Sequence, residues 1–424
     1  MNIEELYTLY LQNPSIQTDT RKLKKGDLFF ALKGPSFNGN EFAAKAIDAG
    51  ASYVIIDDPK YAMDRTIVVG DVLKTLQELA RHHRLQFDIP FIAITGSNGK
   101  TTTKELIHAV LSSSFTTYTT EGNLNNHIGV PLTILKIRKD AQMAVIEMGA
   151  NHQKEIDSYC QYAMPTHGLI TNVGKAHLEG FGGEEGVKKG KGELFDYLRQ
   201  HKGTVFIMSD YDYLQEMSKG IPVVYTYGTK EAQVTGNIYQ TDPFVAVQFS
   251  KGYEGIIQTH LVGSYNLPNI LSAVAIGHYF KVPPGKIRAA IESYMPSNSR
   301  SQLMQKGNNQ IILDAYNANP SSMKAAIENF GSMKADDKVL ALGAMAELGT
   351  SSIKEHEMLI EQIQKYPWKD VILVGGDFMQ IKHPFHQFTS SKEAGEWMKG
   401  KYKNACLLIK GSRSIQMEKV LDYL

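Results

Sequence analysis

The chain has 424 residues, of which 42% are hydrophobic and 21% charged, and its formal net charge is +1. This balance excludes a disordered or fibrous chain, and a prior of about 100 to 200 residues per domain suggests roughly three domains. A near-neutral charge without a long block of Lys or Arg provides no electrostatic surface for nucleic acid or an anionic membrane.

The N-terminal stretch MNIEELYTLYLQNP contains Glu4 and Glu5, and it lacks the basic start and the apolar run of a secretory signal. The sequence also lacks the run of about 18 apolar residues that a membrane-spanning helix needs. The two cysteines, Cys160 and Cys406, lie far apart and fit no metal-ligand spacing, which favours buried thiols in a reducing compartment. These features predict a cytoplasmic protein without a membrane span.

The first predicted domain covers residues 1–83, where strand-like and helix-like stretches alternate. GDLFFAL and SYVIID have the composition of strands, whereas EFAAKAIDAGA and TLQELARHHR have the spacing of amphipathic helices. The pattern predicts a small α/β domain.

The second predicted domain covers residues 84–296 and opens with DIPFIAITGSNGKTTTKELIHAVL, an apolar run that leads through a Gly-rich turn into a helix. Further strand candidates are MAVIEMG, HGLITNV and TVFIMS. Helical stretches separate them, as a mostly parallel sheet requires.

The third predicted domain covers residues 297–424. Its strand candidates are NQIILDAY, KVLALGAM, DVILVGG and ACLLIKG, and its helices include SSMKAAIENF and HEMLIEQIQ. This alternation predicts a doubly wound, Rossmann-like sheet, and the absence of a fixed-period repeat argues against a solenoid. The expected fold is therefore α/β with three domains.

The strongest local signal is the turn between FIAIT and TTKELIHAVL, which predicts a phosphate-binding loop. Two glycines let backbone N–H groups face an anion, Lys100 can neutralise phosphate, and the Thr101 hydroxyl can bind Mg²⁺. The general pattern has another glycine where this chain has Ile94, so the loop is a shorter variant; an ordinary strand-to-helix turn is the alternative. The predicted nucleotide contacts are Gly96, Ser97, Asn98, Gly99, Lys100, Thr101 and Thr102.

The stretch TGSNGKTT resembles the phosphate loop of the Mur ligases and of the related folylpolyglutamate synthetases. The likeness to the Mur ligases extends over nearly the whole chain. It implies a UDP-sugar-binding domain, a central P-loop ATPase domain and a C-terminal Rossmann-like domain, in that order. It also implies ATP-dependent amide-bond formation, in which a carboxylate attacks the γ-phosphate and an amine then displaces phosphate from the acyl phosphate.

Three further residues match metal positions of the family. Glu147 ends a strand candidate, where open α/β sheets bind ligands, although a solvated strand-end acid is also compatible. His177 lies in a Gly-rich stretch after a strand, and the alternative is a structural histidine. The residue type alone indicates no role for Lys191, but its KGE context resembles that of the lysine that is carbamylated in Mur ligases. The resemblance implies two Mg²⁺ ions held by Thr101, Glu147, His177 and carbamylated Lys191, and a catalytic set of Lys100, Glu147, His177 and Lys191.

Two stretches resemble substrate-binding parts of the family. TDTRKLKKGDLFFALKGPSFNGNEF resembles the UDP-binding part, although many relatives have Asp-Gly-His where this chain has Asn38-Gly39-Asn40. GNLNNHIGVPLT resembles the substrate loop, and the alternative is a polar turn before a strand. The predicted substrate contacts are Thr20, Arg21, Lys33, Asn38, Asn123 and Asn126.

GSYNLPNILSA resembles the helix that contacts adenine, with Tyr265 in place of the histidine usual in the family. Asn266 and Asn269 are the predicted amide contacts, and helix capping is the alternative role for both. Arg300 follows as the predicted partner of an ATP phosphate.

The last segment is the most specific. LDAYNANPSSMKAAI, LGAMAELG and LIKGSRSIQMEKV resemble the Mur ligases that add D-alanyl-D-alanine to UDP-N-acetylmuramoyl tripeptide. A DNPR element typical of lysine- or diaminopimelate-adding relatives is absent. Without the resemblance, NANP is a turn, and Lys410 and Arg413 are compatible with a solvent-exposed loop. The resemblance implies a nucleotide contact at Asp314 and substrate contacts at Tyr316, Asn317, Asn319, Lys410 and Arg413.

Two alternatives remain: another Mur-type or folylpolyglutamate-type amino-acid ligase, and a non-catalytic nucleotide-binding protein. The joint presence of the phosphate loop and the metal-position residues favours an enzyme. The expected partners are the UDP-linked tripeptide and the dipeptide, with the chain acting as a monomer. A hinge near residues 296–300 is expected to close the domains and to exclude water from the acyl phosphate.

Overall fold

Short strands build the first unit of the computed structural model, which describes residues 1–297 and 299–424. Its strands are β1 (Ile16–Gln17), β2 (Leu28–Phe30), β3 (Lys33–Gly34), β4 (Phe37–Asn38), β5 (Tyr53–Ile56) and β6 (Thr66–Val68). Its helices are α1 (Ile3–Gln12), α2 (Ala43–Asp48) and α3 (Val72–Arg84). A parallel sheet has the order β1-β2-β5-β6, and β3 and β4 form a separate hairpin.

The second unit is built on a nine-stranded sheet with the order β15-β14-β13-β12-β11-β10-β7-β9-β8. Its strands are β7 (Phe91–Thr95), β8 (Thr117–Thr119), β9 (Met143–Glu147), β10 (His167–Ile170), β11 (Thr204–Met208), β12 (Val223–Gly228), β13 (Val234–Gln240), β14 (Ala246–Lys251) and β15 (Gly255–Gln258). Its helices are α4 (Lys100–Ser112), α5 (Gly129–Leu135), α6 (Glu155–Ala163), α7 (Leu178–Phe181), α8 (Glu184–Gln200), α9 (Asp212–Met217), α10 (Leu267–Tyr279) and α11 (Pro284–Ser293). The strands from β8 to β13 pair in parallel, and the pairs β13/β14 and β14/β15 are antiparallel.

The third unit has a six-stranded sheet with the order β16-β17-β21-β18-β19-β20. Its strands are β16 (Gln302–Lys306), β17 (Asn309–Asp314), β18 (Lys338–Gly343), β19 (Asp370–Val374), β20 (His386–Phe388) and β21 (Cys406–Lys410), and its helices are α12 (Pro320–Ser332), α13 (Ser352–Ile363) and α14 (Ser391–Met398). The β16/β17 hairpin is antiparallel and the remaining pairs are parallel.

The predicted α/β architecture is confirmed, and each strand named in the sequence pattern is present. The amphipathic α1 and the strands β12 to β15 were missed. Each of these four strands mixes buried with exposed positions and lacks the continuous apolar run of the central strands, so its signal in the sequence is weak. GVPLT begins α5, so the alternative of a polar turn before a strand is wrong. The predicted hinge at 296–300 includes Asn298, which lies outside the described residues, and the three domain boundaries stay predictions.

Helix α3 joins the first unit to the second through a buried arginine. Arg84 is 7% exposed, and its guanidinium donates hydrogen bonds to the carbonyl oxygens of Ala163 (3.0 Å), Met164 (3.0 Å) and Phe87 (2.7 Å). The group lies 3.7 Å from the centroid of the Phe91 ring, and burial lowers its pKa to about 10. The last residue of α3 is thus held at the beginning of the central sheet.

Among the helices within 1–297 and 299–424, none is both long and apolar enough to cross a bilayer. Cys160 and Cys406 are free thiols in the interior, as predicted, and burial raises the pKa of the Cys406 thiol to about 11.

Replacing Arg84 by Met should lower the free energy of unfolding by about 3 kcal/mol, because one buried and two partly buried carbonyl groups lose their donor at a cost of about 1 kcal/mol each. Urea denaturation followed by circular dichroism measures the change. Arg81→Met, at an exposed position of the same helix, is the control and should cost less than about 0.5 kcal/mol. Equal losses in the two variants would contradict the bridging role of Arg84.

Candidate active site

A cavity of about 1400 Å³ lies where the carboxyl ends of the central parallel strands face the third unit. This is the edge at which open α/β sheets bind ligands. Most of the predicted site residues line it: Ser97, Asn98, Gly99, Lys100, Thr101, Thr102, Asn123, Asn126, Glu147, His177, Asn266, Asn269, Arg300, Asp314, Tyr316, Asn317, Asn319 and Lys410.

The phosphate loop connects β7 to α4 and needs both of its glycines. Gly96 has φ +140°, and a Cβ there would lie 2.0 Å from Thr171 Oγ1. Gly99 has φ +79° and would place a Cβ 2.6 Å from Asn269 Oδ1. A side chain at either position would meet both the left-handed backbone and a close neighbour.

Lys100 is folded back onto its own loop. Its Nζ donates hydrogen bonds to the carbonyl oxygens of Gly96 (2.7 Å) and Ser97 (3.2 Å), and burial lowers its pKa to about 8. Among the described residues, the hydrogen bonds of this partly buried ammonium group go to neutral carbonyls, which compensate its charge incompletely. An anion at the α4 N-terminus would supply the missing charge.

The loop after β10 braces the phosphate loop. Asn172 accepts from the backbone N–H of Asn98 through Oδ1 (3.1 Å) and from the N–H of Ser97 through its carbonyl (2.9 Å). Ser97 Oγ donates to the carbonyl of Gly174 (3.0 Å). Both the backbone and the side chains of the phosphate loop are therefore fixed before any nucleotide binds.

Glu147 lies at the end of β9, 1% exposed, beside the first turn of α4. Its Oε1 accepts hydrogen bonds from Thr101 Oγ1 (3.2 Å) and from Asn125 Nδ2 (2.7 Å). Among the described residues, its buried Oε2 has no hydrogen-bond partner. A carboxylate oxygen of this kind, next to a Thr hydroxyl, fits a hard cation such as Mg²⁺.

The described residues contain no group of three or more His, Cys, Asp and Glu side chains arranged to hold a metal ion. Mg²⁺ in nucleotide sites commonly has one or two protein carboxylates, and water and phosphate complete its coordination. The donor set around Glu147 is of this kind.

Lys191 is fully buried on α8, where its Nζ donates to the carbonyl of Ala150 (3.0 Å) and lies 4.8 Å from the Phe181 ring centroid. Burial, followed by the charge of Lys100, lowers the pKa of the Lys191 amine well below its usual value. Glu193 accepts from the backbone N–H groups of Lys154 (2.5 Å) and Asp157 (2.9 Å) at the start of α6. The KGE segment therefore contains a buried amine, that of Lys191, and an acid, Glu193, that binds the backbone at the start of α6.

His177 immediately precedes α7 and lines the cavity, with its Nδ1 hydrogen-bonded to a carboxylate oxygen of Glu347 from the third unit. Asn319 Nδ2, also from the third unit, donates to Asn98 Oδ1 of the phosphate loop (2.8 Å). Asn319 caps α12 as well, since its Oδ1 accepts from the N–H of Ser322. The third unit thus contacts both the phosphate loop and a predicted metal residue.

The two predicted adenine contacts are buried and bonded to each other. Asn269 Nδ2 donates to Asn266 Oδ1 (2.9 Å), Asn266 Nδ2 donates to the carbonyl of Val262 (2.9 Å), and Thr103 Oγ1 donates to Asn269 Oδ1 (3.0 Å). This network joins α10 to α4 through Thr103, so Asn269 has a structural role whether or not it contacts a base.

The third unit contributes a charged cluster. Lys410 Nζ donates to Asp314 Oδ2 (2.6 Å) and to the carbonyl of Asn317 (3.2 Å), and the Lys410 side chain is 3% exposed. The guanidinium of Arg300 lies 3.7 Å from the Tyr316 ring centroid. Within the described part of the chain, Arg300 Nε is buried without a hydrogen-bond partner. The solvent-exposed loop that was the alternative reading for Lys410 is therefore wrong, because this amine is buried in an ion pair.

Several predicted substrate residues lie outside this cavity. Lys33 pairs with Asp57 (2.8 Å), and the buried Asn40 donates to Asn38 Oδ1 (2.8 Å) and to Asp57 Oδ1 (2.9 Å). These residues form one polar network in the first unit, in which the amide of Asn40 joins Asn38 to Asp57. Thr20 and the exposed Arg21 lie in a 3-10 helix of the same unit, and Arg413 pairs with Glu418 (2.7 Å) at the surface.

Two residues at the site were missed from the sequence. Asn125 lies between the predicted contacts Asn123 and Asn126, and its position in that asparagine-rich loop was the available signal. Its amide orients Glu147, whereas Asn126 caps α5 by accepting from Gly129 N–H (2.8 Å). Glu347 lies in the quoted stretch LGAMAELG, but its contact with a residue 170 positions away is invisible to spacing.

Comparison with known proteins places these features in a family. Three family models match: Mur ligase family, catalytic domain, over residues 14–84; Mur ligase middle domain, over 94–277; and Mur ligase, glutamate ligase domain, over 299–413. A Bacillus subtilis relative named UDP-N-acetylmuramoyl-tripeptide–D-alanyl-D-alanine ligase is 32% identical over 447 aligned positions, which cover 100% of this chain and 97% of the relative.

Solved structures agree with the fold. A crystal structure of MurF from Acinetobacter baumannii superposes with a TM-score of 0.88 at 31% identity and covers 96% of this chain and 92% of that one. MurF from Thermotoga maritima, solved in complex with ADP, gives 0.86 at 25% identity, with 97% of each chain covered.

The pKa of Lys100 predicts a pH dependence of stability. An unfolded chain keeps the ordinary value of 10.5, and the native value is about 8. Between these values the unfolded state binds more protons, so the contribution of Lys100 to stability rises with pH. In Lys100→Met this rise should be absent, whereas the exposed Lys189→Met should follow the unmodified chain. The urea midpoints of the three proteins at pH 7 and pH 10 measure this rise. The same change in midpoint in all three would contradict the lowered pKa of Lys100.

Proposed function

The chain belongs to the Mur ligase family, and from this membership we propose that it joins D-alanyl-D-alanine to UDP-N-acetylmuramoyl tripeptide at the expense of ATP. The product is the pentapeptide precursor used in peptidoglycan synthesis. The observation that carries the proposal is the full-length match to ligases of this name, together with a single cavity that joins the phosphate loop to the third unit.

The full-length match favours this activity over other ligases. The alternative of a folylpolyglutamate-type or other amino-acid ligase loses support, because the relative that names both substrates matches the third unit as well as the ATPase unit. A non-catalytic nucleotide-binding protein would not need a buried carboxylate oxygen without a hydrogen-bond partner in the described chain, or a fully buried lysine amine such as that of Lys191.

In the proposed reaction, the backbone N–H groups of residues 96–102 bind the ATP phosphates, and Lys100 turns from its carbonyl partners to a phosphate oxygen. The tripeptide carboxylate attacks the γ-phosphate, giving an acyl phosphate and ADP. The dipeptide amine then attacks the acyl carbon, and phosphate leaves with the C–O bond electrons while the amine loses a proton. Lys100 and Arg300 offset the negative charge that accumulates when the carboxylate approaches the triphosphate.

The proposed metal ligands are Thr101 and Glu147 for one Mg²⁺, and His177 with a carbamate on Lys191 for a second. Bound Mg²⁺ would neutralise phosphate charge and polarise the transferred group. The first site is supported by the buried Oε2 of Glu147, which has no hydrogen-bond partner among the described residues. The lowered pKa of Lys191 supports the carbamate, because only a neutral amine adds to CO₂.

The remaining residues have proposed roles in substrate binding. The adenine lies against Asn266 and Asn269, and Asp314 contacts the nucleotide. Asn123, Asn126 and residues of the third unit bind the peptide parts, and the first unit binds UDP. The proposed third-unit contacts are Tyr316, Asn317, Asn319, Lys410 and Arg413, and the proposed UDP contacts are Thr20, Arg21, Lys33 and Asn38.

We also propose that the protein acts in the cytoplasm as a monomer. The two buried free thiols suit a reducing compartment where ATP is available, and one chain supplies all of the cavity residues named above.

Phosphate release in the presence of UDP-N-acetylmuramoyl tripeptide, D-alanyl-D-alanine, ATP and Mg²⁺ tests the function. Release should require both substrates, and Lys100→Ala should reduce it by at least about 1,000-fold, the scale on which loss of a transition-state contact acts. The variant should keep the circular dichroism spectrum of the unmodified chain. Release without either peptide substrate, or full activity of Lys100→Ala, would refute the proposal.

The carbamate can be tested separately by ¹³C NMR after equilibration with ¹³C-bicarbonate. A carbamate signal should appear in the unmodified chain and be absent in Lys191→Gln, whose phosphate release should also be lost. Lys189→Gln, at an exposed position on the same helix, should retain both. A signal that persists in Lys191→Gln would place the carbamate elsewhere.

A further inference from the structure

The loop after β10 is contacted from both sides. Its first part braces the phosphate loop, and its second part meets the third unit. Lys175 Nζ donates to Glu355 Oε1 (2.6 Å), and the backbone N–H of Lys175 donates to Ser321 Oγ (3.1 Å). Two residues further along, His177 meets Glu347. Closure of the third unit therefore acts on a segment that also supports nucleotide binding.

The contact between His177 and Glu347 is directional. The Nδ1 atom of the ring is hydrogen-bonded to a carboxylate oxygen of Glu347. The His177 side chain is 19% exposed and borders the cavity. With Nδ1 held in this way, Nε2 is the ring nitrogen left for a cation.

Both residues have a left-handed backbone, with φ +53° at His177 and +61° at Glu347. Neither is glycine or asparagine, and an ordinary residue keeps such a backbone conformation only where surrounding contacts hold it. The carbonyl of Glu347 also accepts from Glu179 N–H (3.3 Å). Backbone and side-chain contacts therefore hold the two residues together across the unit boundary.

We propose that Glu347 is a positioning residue, which fixes the tautomer and the orientation of His177 so that the imidazole presents Nε2 to a divalent cation. Metal-bound histidines usually donate the other ring N–H to a carboxylate, and loss of that partner commonly weakens metal binding about 10- to 100-fold. This inference rests on the proposed role of His177 as a metal ligand.

The arrangement has a functional consequence. Histidine and carboxylate come from different units, so the cation site is complete only when the third unit is closed over the central one. Closure brings Asn319 to the phosphate loop at the same time. Acyl-phosphate formation is then confined to the state in which the cavity is covered, which protects the intermediate from water.

The test is Mn²⁺ affinity, measured by isothermal titration calorimetry on the full chain with a non-hydrolysable ATP analogue. Glu347→Ala should weaken Mn²⁺ binding about 10- to 100-fold. Glu347→Gln should lose less, because an amide oxygen still accepts the Nδ1 hydrogen. Glu357→Ala, an exposed acid on α13, is the matched control and should leave the affinity unchanged.

A double-variant cycle separates positioning from a general effect on structure. If Glu347 acts through His177, the double variant His177→Ala, Glu347→Ala should bind Mn²⁺ no more weakly than His177→Ala alone. In phosphate release, raised Mg²⁺ should restore the kcat of Glu347→Ala. Glu355→Gln, which weakens the contact of the third unit with Lys175, should lower kcat at every Mg²⁺ concentration.

The outcomes distinguish the two levels of proposal. Weaker Mn²⁺ binding in His177→Ala with unchanged binding in Glu347→Ala would overturn the positioning role alone. Additive losses in the double variant would overturn it as well. Unchanged binding in His177→Ala would overturn the metal role of His177 on which the inference depends.

Discussion

The hydrogen bonds between the phosphate loop and the loop after β10 are the interaction on which the site depends. Asn172 and Gly174 hold Ser97 and Asn98 with both backbone and side-chain atoms. Backbone N–H groups bind phosphate well only if their direction is fixed in advance, because reorientation during the reaction would cost free energy. The same loop then carries His177 towards the third unit, so nucleotide binding and unit contact share one segment.

Charge in this cavity is arranged for ligands that are themselves charged. Burial depresses the pKa of both Lys100 and Lys191, while Glu147 keeps one buried oxygen without a partner in the described chain. A buried charge without a partner destabilises the folded state, so a fold selected only for stability would give each of these groups a partner. The proposed ligands would supply the missing partners: a phosphate for Lys100, a cation for Glu147, and CO₂ that would convert Lys191 to a carbamate.

The third unit contacts the central unit through residues of the site itself. It places Asn319 on the phosphate loop, Glu347 on His177 and Glu355 on Lys175, and its own ion pair between Lys410 and Asp314 borders the cavity. In a ligase that forms an acyl phosphate, water is the competing nucleophile. Contacts between the third unit and the phosphate loop or His177, a proposed metal ligand, would link reactivity to the exclusion of water.

The sequence by itself determined the three α/β segments, the phosphate loop and the family, because strands such as FIAIT and MAVIE have strong local signals and the motif TGSNGKTT is contiguous. It also indicated Glu147 and His177 as residues after strands, since parallel strands end at a common edge. Tertiary structure decided which groups meet: Asn125 on Glu147, Glu347 on His177, and Asn40 in the network of the first unit. Such contacts join residues that are far apart in the chain or on different units, and the free energy that selects them comes from packing and burial, which no local pattern records.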